Sequence, residues 1–218
     1  MDKDVEVRDD VLAELAFEPS LDEAAVGVSV HDGIVTLSGH VKSYAERNSA
    51  EAATRRVKGV RGLVQKLEVR LPADIVHDDE EIARRAANYL QWSVYPRLED
   101  LKIKVENGRV TLDGRADRYA QRMDAERLIQ NLSGVTGVVN RIAVKPAAAK
   151  APLVRAEIEK AFKRNAELES SNISISVEGG KVRLDGKVKA YFERALAERA
   201  AWSTPGVTAV EDRLNVGA

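Results

Sequence analysis

The sequence predicts an α+β fold in which one small module, a two-layer α/β sandwich, occurs three times in tandem. Two observations lead to this prediction. A long segment recurs twice more along the chain without a gap, and every copy carries the same succession of helix, strand and turn patterns. That succession is helix, strand, strand, helix, strand. It predicts two amphipathic helices on one face of a three-stranded sheet.

The repeat appears when residues 31–69 are aligned with residues 106–144 and 178–216, at offsets of 75 and 72 residues. Positions identical in all three copies are, in the first copy, Val30, Gly33, Val35, Leu37, Gly39, Tyr44, Arg47, Ala50, Glu51, Gly59, Val60 and Val69. A chain of 218 residues would by length alone suggest one or two domains, but the repeat favours three small ones. We predict them at residues 1–71, 78–146 and 150–218.

The first helix of each module is predicted from an apolar stripe with helical spacing. The stripes are Val7, Val11, Leu12 and Leu15, then Ile82, Ala86, Ala87 and Leu90, then Val154, Ile158 and Phe162. Pro19 and Ser20 end the first of these helices.

A tight hairpin follows each first helix. In the first module, residues 26–30 and 34–41 alternate apolar and polar side chains, as half-buried strands do. The turn dipeptides are Asp32-Gly33, Asn107-Gly108 and Gly179-Gly180. They predict type I′ turns, in which both central residues take a positive φ. Gly39 and its equivalents Gly114 and Gly186 predict a bulge or a closely crossing helix.

The second helix of the first module begins near Ser43, which can form a capping box with Glu46. Ala50, Ala53 and Val57 form its buried stripe. The closing strands are predicted at residues 63–69, 138–144 and 210–216.

Two polar features recur on this second helix. The first is an Arg and Glu pair, four residues apart: Arg47 and Glu51, Arg122 and Glu126, Arg194 and Glu198. We interpret these as exposed helical ion pairs rather than as a ligand site. The second is the tyrosine at the helix start: Tyr44, Tyr119 and Tyr191. We expect these rings to pack over the sheet edge rather than to bind a ligand.

The repeat resembles the BON domain. The resemblance is carried by DGIVTLSGHVKSYAER (residues 32–47), by Gly59-Val60 after the second helix, and by the closing strand, and it covers nearly the whole chain three times. It implies an α/β fold with the element order given above. It also implies binding to phospholipid surfaces or other envelope partners, as in bacterial osmotically inducible periplasmic proteins, and for some members a stress-protective chaperone role.

The sequence and the resemblance predict different cell compartments. The first residues are charged and lack the apolar run of a signal peptide, which predicts a cytoplasmic protein. The resemblance implies a periplasmic protein if an export signal is missing from this chain. We expect no transmembrane segment, because no apolar run approaches the ~20 residues that a membrane helix needs.

Charge singles out the middle module. Residues 82–144 hold eleven Lys and Arg against seven Asp and Glu, a net charge of +4, although the whole chain carries −1. The candidate lipid-binding residues are Lys102, Lys104, Arg109, Arg115, Arg118, Tyr119 and Arg122. Basic residues and aromatic rings suit an anionic membrane surface. The alternative is a solvated face whose arginines pair with neighbouring carboxylates.

Nothing in the sequence indicates an enzyme. The chain has no cysteine, and His31, His40 and His77 do not recur at one repeat position or show metal-ligand spacing. We therefore expect no catalytic residues, no metal and no cofactor. A net charge of −1 and the lack of a recognised motif argue against nucleic acid as a partner.

The sequence thus predicts a non-enzymatic binding protein. The favoured partner is an anionic phospholipid surface, in a bacterial osmotic or envelope stress context. The alternative is a chaperone-like or scaffolding protein that binds other proteins, for example in the envelope, where three linked modules would raise avidity. The oligomeric state does not follow from the sequence.

Overall fold

A computed structural model describes residues 3–72, 78–92, 98–145, 151–165, 168 and 172–217 of the chain. Within them the predicted α+β class is confirmed: each module has two helices and one small sheet. By its contacts the chain forms two compact units, Met1–Ala116 with Gln121–Ala143, and Asp117–Ala120 with Val144–Ala218.

The elements follow the predicted order in every module. In the first module they are α1 (Lys3–Ala16), β1 (Val26–His31), β2 (Ile34–Val41), α2 (Tyr44–Arg56) and β3 (Gly62–Val69), with a short 3₁₀ turn at Glu23–Ala25. In the second they are α3 (Asp79–Trp92), β4 (Glu99–Glu106), β5 (Arg109–Ala116), α4 (Tyr119–Gln130), β6 (Gly137–Asn140) and β7 (Ala143–Val144). In the third they are α5 (Ala151–Arg164), β8 (Ile173–Glu178), β9 (Lys181–Val188), α6 (Tyr191–Ser203) and β10 (Ala209–Val216).

The sheets share one topology. In the first module β1 pairs antiparallel with β2, and β2 pairs parallel with β3, with Val35 opposite both Val30 and Leu63. A parallel pair needs a long crossover, which α2 supplies. The third sheet repeats this pattern. In the second module the predicted closing strand is divided into β6 and β7, although the Arg141 amide between them still donates to the Leu112 carbonyl of β5.

Each module has a core of its own. In the first, Val11 and Leu15 of α1 and Val35 and Leu37 of β2 are at most 1% exposed. Ala50 of α2 is also fully buried, so small residues let the second helix lie close to the sheet. The predicted apolar stripes are the buried faces in all three modules, apart from Leu12, which is 41% exposed, and Ala87.

The hairpin turns take the predicted conformation. Both central residues have positive φ: 50° at Asp32 and 73° at Gly33 in the first module, with matching values in the other two. The predicted cap of α2 also forms: Ser43 Oγ accepts the Glu46 amide at 3.1 Å, while Glu46 Oε2 accepts the amide of Lys42, one residue before the cap, at 2.9 Å.

The glycine at the end of the second strand is required by a backbone contact rather than by a crossing helix. Gly39 has a φ of 105°, and a Cβ there would collide with the Ala25 carbonyl oxygen. Gly186 has a φ of 136°, and a Cβ there would collide with the Asn172 carbonyl oxygen. The close neighbour in each case is the chain that enters the first strand.

A carboxylate joins the first helix to the hairpin in two modules, a feature that the sequence patterns do not reveal. Asp4 accepts the amides of Asp32 and Gly33 at 2.8 and 2.9 Å. Asp79 accepts the amides of Asn107 and Gly108 at 2.7 and 2.8 Å. The same repeat position in the third module is Ala151, which has no side-chain acceptor.

Candidate functional site

Four of the seven candidate lipid-binding residues lie on one surface, the open face of the second sheet, which is the face opposite α3 and α4. They are Lys102 and Lys104 on β4 and Arg109 and Arg115 on β5, and all four are exposed. Val110 and Leu112 of β5 are fully buried in the core that contains α3 and α4. Since side chains alternate along a strand, the intervening residues of β5 point away from the helices.

Two of these four cations already have a carboxylate partner. Lys104 Nζ lies 2.9 Å from Glu106 Oε1, and Arg115 pairs with Asp100. Lys102 and Arg109 form no ion pair within the described residues. Lys102 and Arg109 are therefore the two cations of this group of four that can bind an anionic partner without first breaking an ion pair.

The third module shows why Arg109 lacks a carboxylate. Its counterpart Lys181 lies 2.8 Å from Glu211 on the neighbouring parallel strand. Hydrogen bonds from Lys181 and then Arg213 hold the pKa of Glu211 down to about 2. In the second module the position of Glu211 is occupied by Val139, as the shared strand register shows. One exchange of Glu for Val thus leaves a positive charge on this face uncompensated.

The other three candidates lie at the start of α4 and have further contacts. Arg118 is exposed, and it has a partner of its own. The Tyr119 ring stacks on Trp202 of α6, with centroids 4.5 Å apart and planes 11° from parallel. Arg122 Nη2 donates to the Asn140 carbonyl at 3.1 Å. The structure therefore brings four of the seven predicted residues onto one face and places Tyr119 and Arg122 in internal contacts.

The repeated arginine of the second helix reaches the closing strand in two modules. Arg122 meets the backbone of Asn140 on β6, and Arg194 Nε lies 2.5 Å from Asp212 Oδ2 on β10. The hydrogen bond to Asp212 raises the pKa of Arg194 further above its ordinary value. The interpretation as a solely helical ion pair is therefore incomplete, because the arginine also ties helix to sheet.

In the first module the strand residue facing this arginine position is Gln65. Its Nε2 and the Nε of Arg47 are buried without a hydrogen-bond partner within the described residues. The Arg47 guanidinium carbon lies 5.9 Å from the centre of the Tyr44 ring, within cation–π range.

Two exposed aromatic residues are further candidate contact positions, one in each of the first two modules. Phe17 and Trp92 occupy one repeat position, at the C-terminal end of the first helix, and are 86% and 82% exposed. Tyr89, one turn before Trp92, is 53% exposed. Phe17 and Trp92 lie two residues beyond the last buried position of their helices, Leu15 and Leu90. The sequence signal for these positions is an aromatic residue that lies outside the apolar stripe of the first helix in two modules.

No metal centre is formed by the described part of the chain, which holds no group of three or more His, Asp or Glu side chains able to bind an ion. His31 lies on the surface, 3.6 Å from Asp32 Oδ2, with 93% of its side chain exposed. His77 lies outside the described residues. No helix in the described ranges is both long enough and apolar enough to cross a membrane.

Comparison with solved structures adds little. Two structures align over most of their length, both at low identity. One is the C-terminal domain of CdsD, a structural protein of the type III secretion system of Chlamydia trachomatis, at 14% identity, covering 98% of each chain with a TM-score of 0.27. The other is the periplasmic domain of PrgH from S. typhimurium, at 12% identity, covering 93% of this chain and 100% of that chain with a TM-score of 0.23. These scores support no inference about this chain.

Comparison at the level of sequence is informative. Among curated proteins, this chain is similar to osmotically-inducible protein Y of Escherichia coli (strain K12), at 28% identity over 140 residues, which cover 62% of this chain and 69% of the relative. The family model described as BON domain matches residues 3–70, 78–146 and 152–218. The resemblance carried by the hairpin and second helix is thereby confirmed, and this chain belongs to the BON domain family as three BON domains in tandem.

Proposed function

We propose that this protein is a non-enzymatic binding protein that associates with anionic phospholipid surfaces, in a bacterial response to osmotic or envelope stress. The observation that carries the proposal is the exposure of Trp92 and Phe17, at 82% and 86%, at one repeat position of two modules. The stress context rests on the similarity to an osmotically inducible protein. The whole chain holds only 5% aromatic residues, and these two lie at the surface rather than in a core.

The apolar contribution follows from the area of the exposed ring. A tryptophan side chain can bury about 150–250 Å². At about 25 cal/mol per Å², moving most of the Trp92 side chain out of water would contribute roughly 3–5 kcal/mol. Tryptophan and tyrosine favour the boundary between lipid and water, so Tyr89 one turn away adds to the same surface.

The electrostatic contribution comes from Lys102 and Arg109. Each cation close to an anionic membrane contributes about 1 kcal/mol, and salt weakens this attraction within a Debye length. Lys104 and Arg115 contribute less, because Glu106 and Asp100 offset their charge. Because the open face lies opposite α3, which carries Trp92, the proposal treats them as two separate contacts, a salt-sensitive one at the open face and a salt-insensitive one at Trp92.

Sedimentation with vesicles tests both parts. The intact chain should pellet more with phosphatidylglycerol-rich vesicles than with neutral ones, and high salt should remove only the excess binding to the anionic vesicles. The double variant Lys102→Glu with Arg109→Glu should lose most of the salt-sensitive binding. A matched control, Lys58→Glu with Lys163→Glu, makes the same change in net charge at exposed positions outside the second module.

Trp92 can also report its own environment. The chain has two tryptophans, and Trp202 can be replaced by Phe so that its stack with Tyr119 keeps an aromatic ring. In that background, Trp92 fluorescence should shift to shorter wavelength when anionic vesicles are added. Failure to pellet with any vesicle, together with an unchanged emission spectrum, would rule out a phospholipid surface as the partner.

A chaperone-like or scaffolding role is the second candidate, and one observation favours it. The outward face of the first sheet carries Ile34 and Val64, which are 46% and 40% exposed. Exposed apolar side chains on a sheet suit a protein partner better than a charged headgroup. This candidate expects suppression of client aggregation without lipid, and loss of that suppression in Ile34→Lys with Val64→Lys.

A further inference from the structure

We propose that the first and third modules each bind an extended segment of a partner protein, which adds as a further strand beside β1 or β8. The partner is a peptide with alternating apolar and polar side chains, such as an unpaired strand of an unfolded protein. In this binding mode, backbone hydrogen bonds supply the affinity and alternate side chains supply the specificity. The contact uses neither Trp92 nor the open face of the second module, so it does not depend on phospholipid binding.

Each sheet has two edges, and the edge at the closing strand is partly occupied by the chain itself. Hydrogen bonds alternate along a strand, and the Arg70 amide that follows β3 donates to the Val41 carbonyl of β2. The Leu67 amide therefore points to the free side of β3, where the Gln65 side chain accepts it at 3.1 Å. The same contact recurs in the other modules, where Asn140 accepts the Ile142 amide at 3.2 Å and Asp212 accepts the Leu214 amide at 2.8 Å. An added strand would need this donor, so the closing strand is the less suitable edge.

The opposite edge of each sheet is its first strand, β1, β4 or β8. The two residues that flank each tight hairpin turn form a hydrogen-bonded pair, and the pairs then alternate along the strands. Val28 and Val30 of β1 therefore direct their amides and carbonyls away from β2, and Ile175 and Val177 of β8 direct theirs away from β9. The chemical complement of such a row of donors and acceptors is another extended backbone.

Charge protects this edge in the second module but not in the other two. Lysine on an edge strand discourages pairing with another chain. At the two central outward positions of the first strand, β4 carries Lys102 and Lys104, whereas β1 carries Gly27 and Ser29 and β8 carries Ser174 and Ser176, all of them exposed. The first and third modules thus present an edge with neither a charged nor a bulky side chain at these positions.

In the third module a groove opens along this edge. Its lining includes Ile173, Ser174 and Ile175 of β8 and Arg155 and Glu159 of α5. Arg155 Nε lies 2.8 Å from Glu159 Oε1, so the two charges offset each other. Because side chains alternate along a strand, an added strand would place its apolar side chains toward α5 and its polar side chains on the open face of the sheet.

A peptide fits these edges better than a second folded copy of this chain. The first helix of each module packs against the edge strand, α1 on β1 and α5 on β8. Paired strands lie about 4.8 Å apart, whereas packed helices need about 8–10 Å between their axes. A second copy would bring its own first helix over its own edge strand, too close to the helix already there. An extended peptide brings no helix.

Amide hydrogen exchange on the full chain, without lipid, tests strand addition residue by residue. The probe is the peptide Lys-Val-Thr-Val-Thr-Val-Lys with blocked ends. At saturation it should slow exchange of the Val28 and Ile175 amides about 3- to 10-fold, since each gains one backbone hydrogen bond. Ile103 of β4 occupies the same repeat position and is the internal reference, whose exchange should stay unchanged.

Two control peptides separate backbone pairing from apolar contact. N-methyl groups on two adjacent central residues remove a donor on both sides of the peptide and leave its side chains intact. This peptide should bind about tenfold more weakly. The peptide Lys-Val-Val-Val-Thr-Thr-Lys keeps the composition but loses the alternation, and it should also bind more weakly. Equal protection by the N-methylated peptide would show that backbone pairing is not the contact and would overturn the proposal.

A variant with the outward residues of β4 tests the role of charge at the third module. Ser174→Lys with Ser176→Lys should reduce the protection of Ile175 and leave that of Val28 unchanged. Ser20→Lys with Ser203→Lys makes the same change in net charge at exposed serines outside the edge strands and should leave both sites unchanged.

Three outcomes would show that the proposal is wrong. The first is no protection of Val28 or Ile175 up to about 1 mM peptide, the weakest affinity that strand addition of this length is expected to give. The second is equal protection of Ile103, which would mean that the peptide does not distinguish the edges. The third is protection that appears without peptide as the protein concentration rises, which would identify a second copy of the chain as the occupant.

Discussion

Ala151→Asp should stabilise the third module by supplying a contact that the first two modules have. Asp4 and Asp79 each accept two backbone amides of the hairpin turn, at 2.7–2.9 Å. Ala151 occupies the same position and lies 28 residues before Gly179, as Asp79 lies 28 residues before Asn107. The new carboxylate is therefore expected to accept the amides of Gly179 and Gly180.

The size of the effect follows from the existing pairs. A hydrogen bond to a charged group contributes about 1.5–3 kcal/mol when well buried. Of the two bonds that Asp79 makes, one is exposed and one is partly buried, so solvent reduces the pair to about 1–2 kcal/mol. A carboxylate in the first turn of a helix adds about 0.3–1 kcal/mol, and aspartate costs about 0.5 kcal/mol in helix propensity relative to alanine. Together these contributions give about 1–2.5 kcal/mol.

Amide hydrogen exchange measures this effect where it arises. Exchange at Gly179 and Gly180 should slow at least about fivefold, the equivalent of the lower bound of about 1 kcal/mol. Asp79→Ala should accelerate exchange at Asn107 and Gly108 in the second module. Ala151→Asn serves as the uncharged control and should give a smaller effect. Unchanged exchange at Gly180 in Ala151→Asp, alongside the expected loss in Asp79→Ala, would refute the reasoning.

Three further predictions concern stability. Gly39→Ala should destabilise the first module by about 2–4 kcal/mol in thermal or denaturant unfolding. A positive φ costs an alanine ~1–2 kcal/mol, and the new Cβ must displace the Ala25 carbonyl. A change below about 0.5 kcal/mol would contradict this account. Gln65→Asp should stabilise the first module by about 0.5–1 kcal/mol by giving Arg47 the carboxylate that Arg194 finds in Asp212, and Gln65→Asn is the control without charge. The pKa of Glu211 lies near 2 in the folded chain, below its ordinary value of 4.5; the stability it contributes is present above pH 4.5 and is lost as the pH falls toward 2. Glu211→Gln should flatten this part of the pH profile of unfolding, and an identical profile in the variant would rule out the contribution.

Local chemistry explains why so much of the fold was predictable. Asp32-Gly33 and its equivalents require positive φ, and Ser43 with Glu46 satisfies the free amides of a helix start, so these features are readable from a few adjacent residues. The three-fold repeat then confirms each pattern independently. The fold class, the element order and the buried stripes all depend on signals of this kind.

The candidate site was less predictable, because its properties depend on contacts between distant residues. Arg109 and Lys181 are equivalent in sequence, yet only Lys181 has a carboxylate across the strand pair. Tyr119 and Arg122 looked like neighbours of the basic set, but one stacks on Trp202 and the other is tied to Asn140. Composition and periodicity do not show which charges are already paired.

By itself, the sequence determined that this protein is three α+β modules of the BON domain family. Hydrophobic periodicity and turn residues are local signals, and the repeat is found by comparing the chain with itself. Only the tertiary structure decided which cations remain available, which glycines face a carbonyl, and which tyrosines contact another module. Those outcomes depend on strand register and on pairs of residues far apart in the chain, whose distances no local pattern contains.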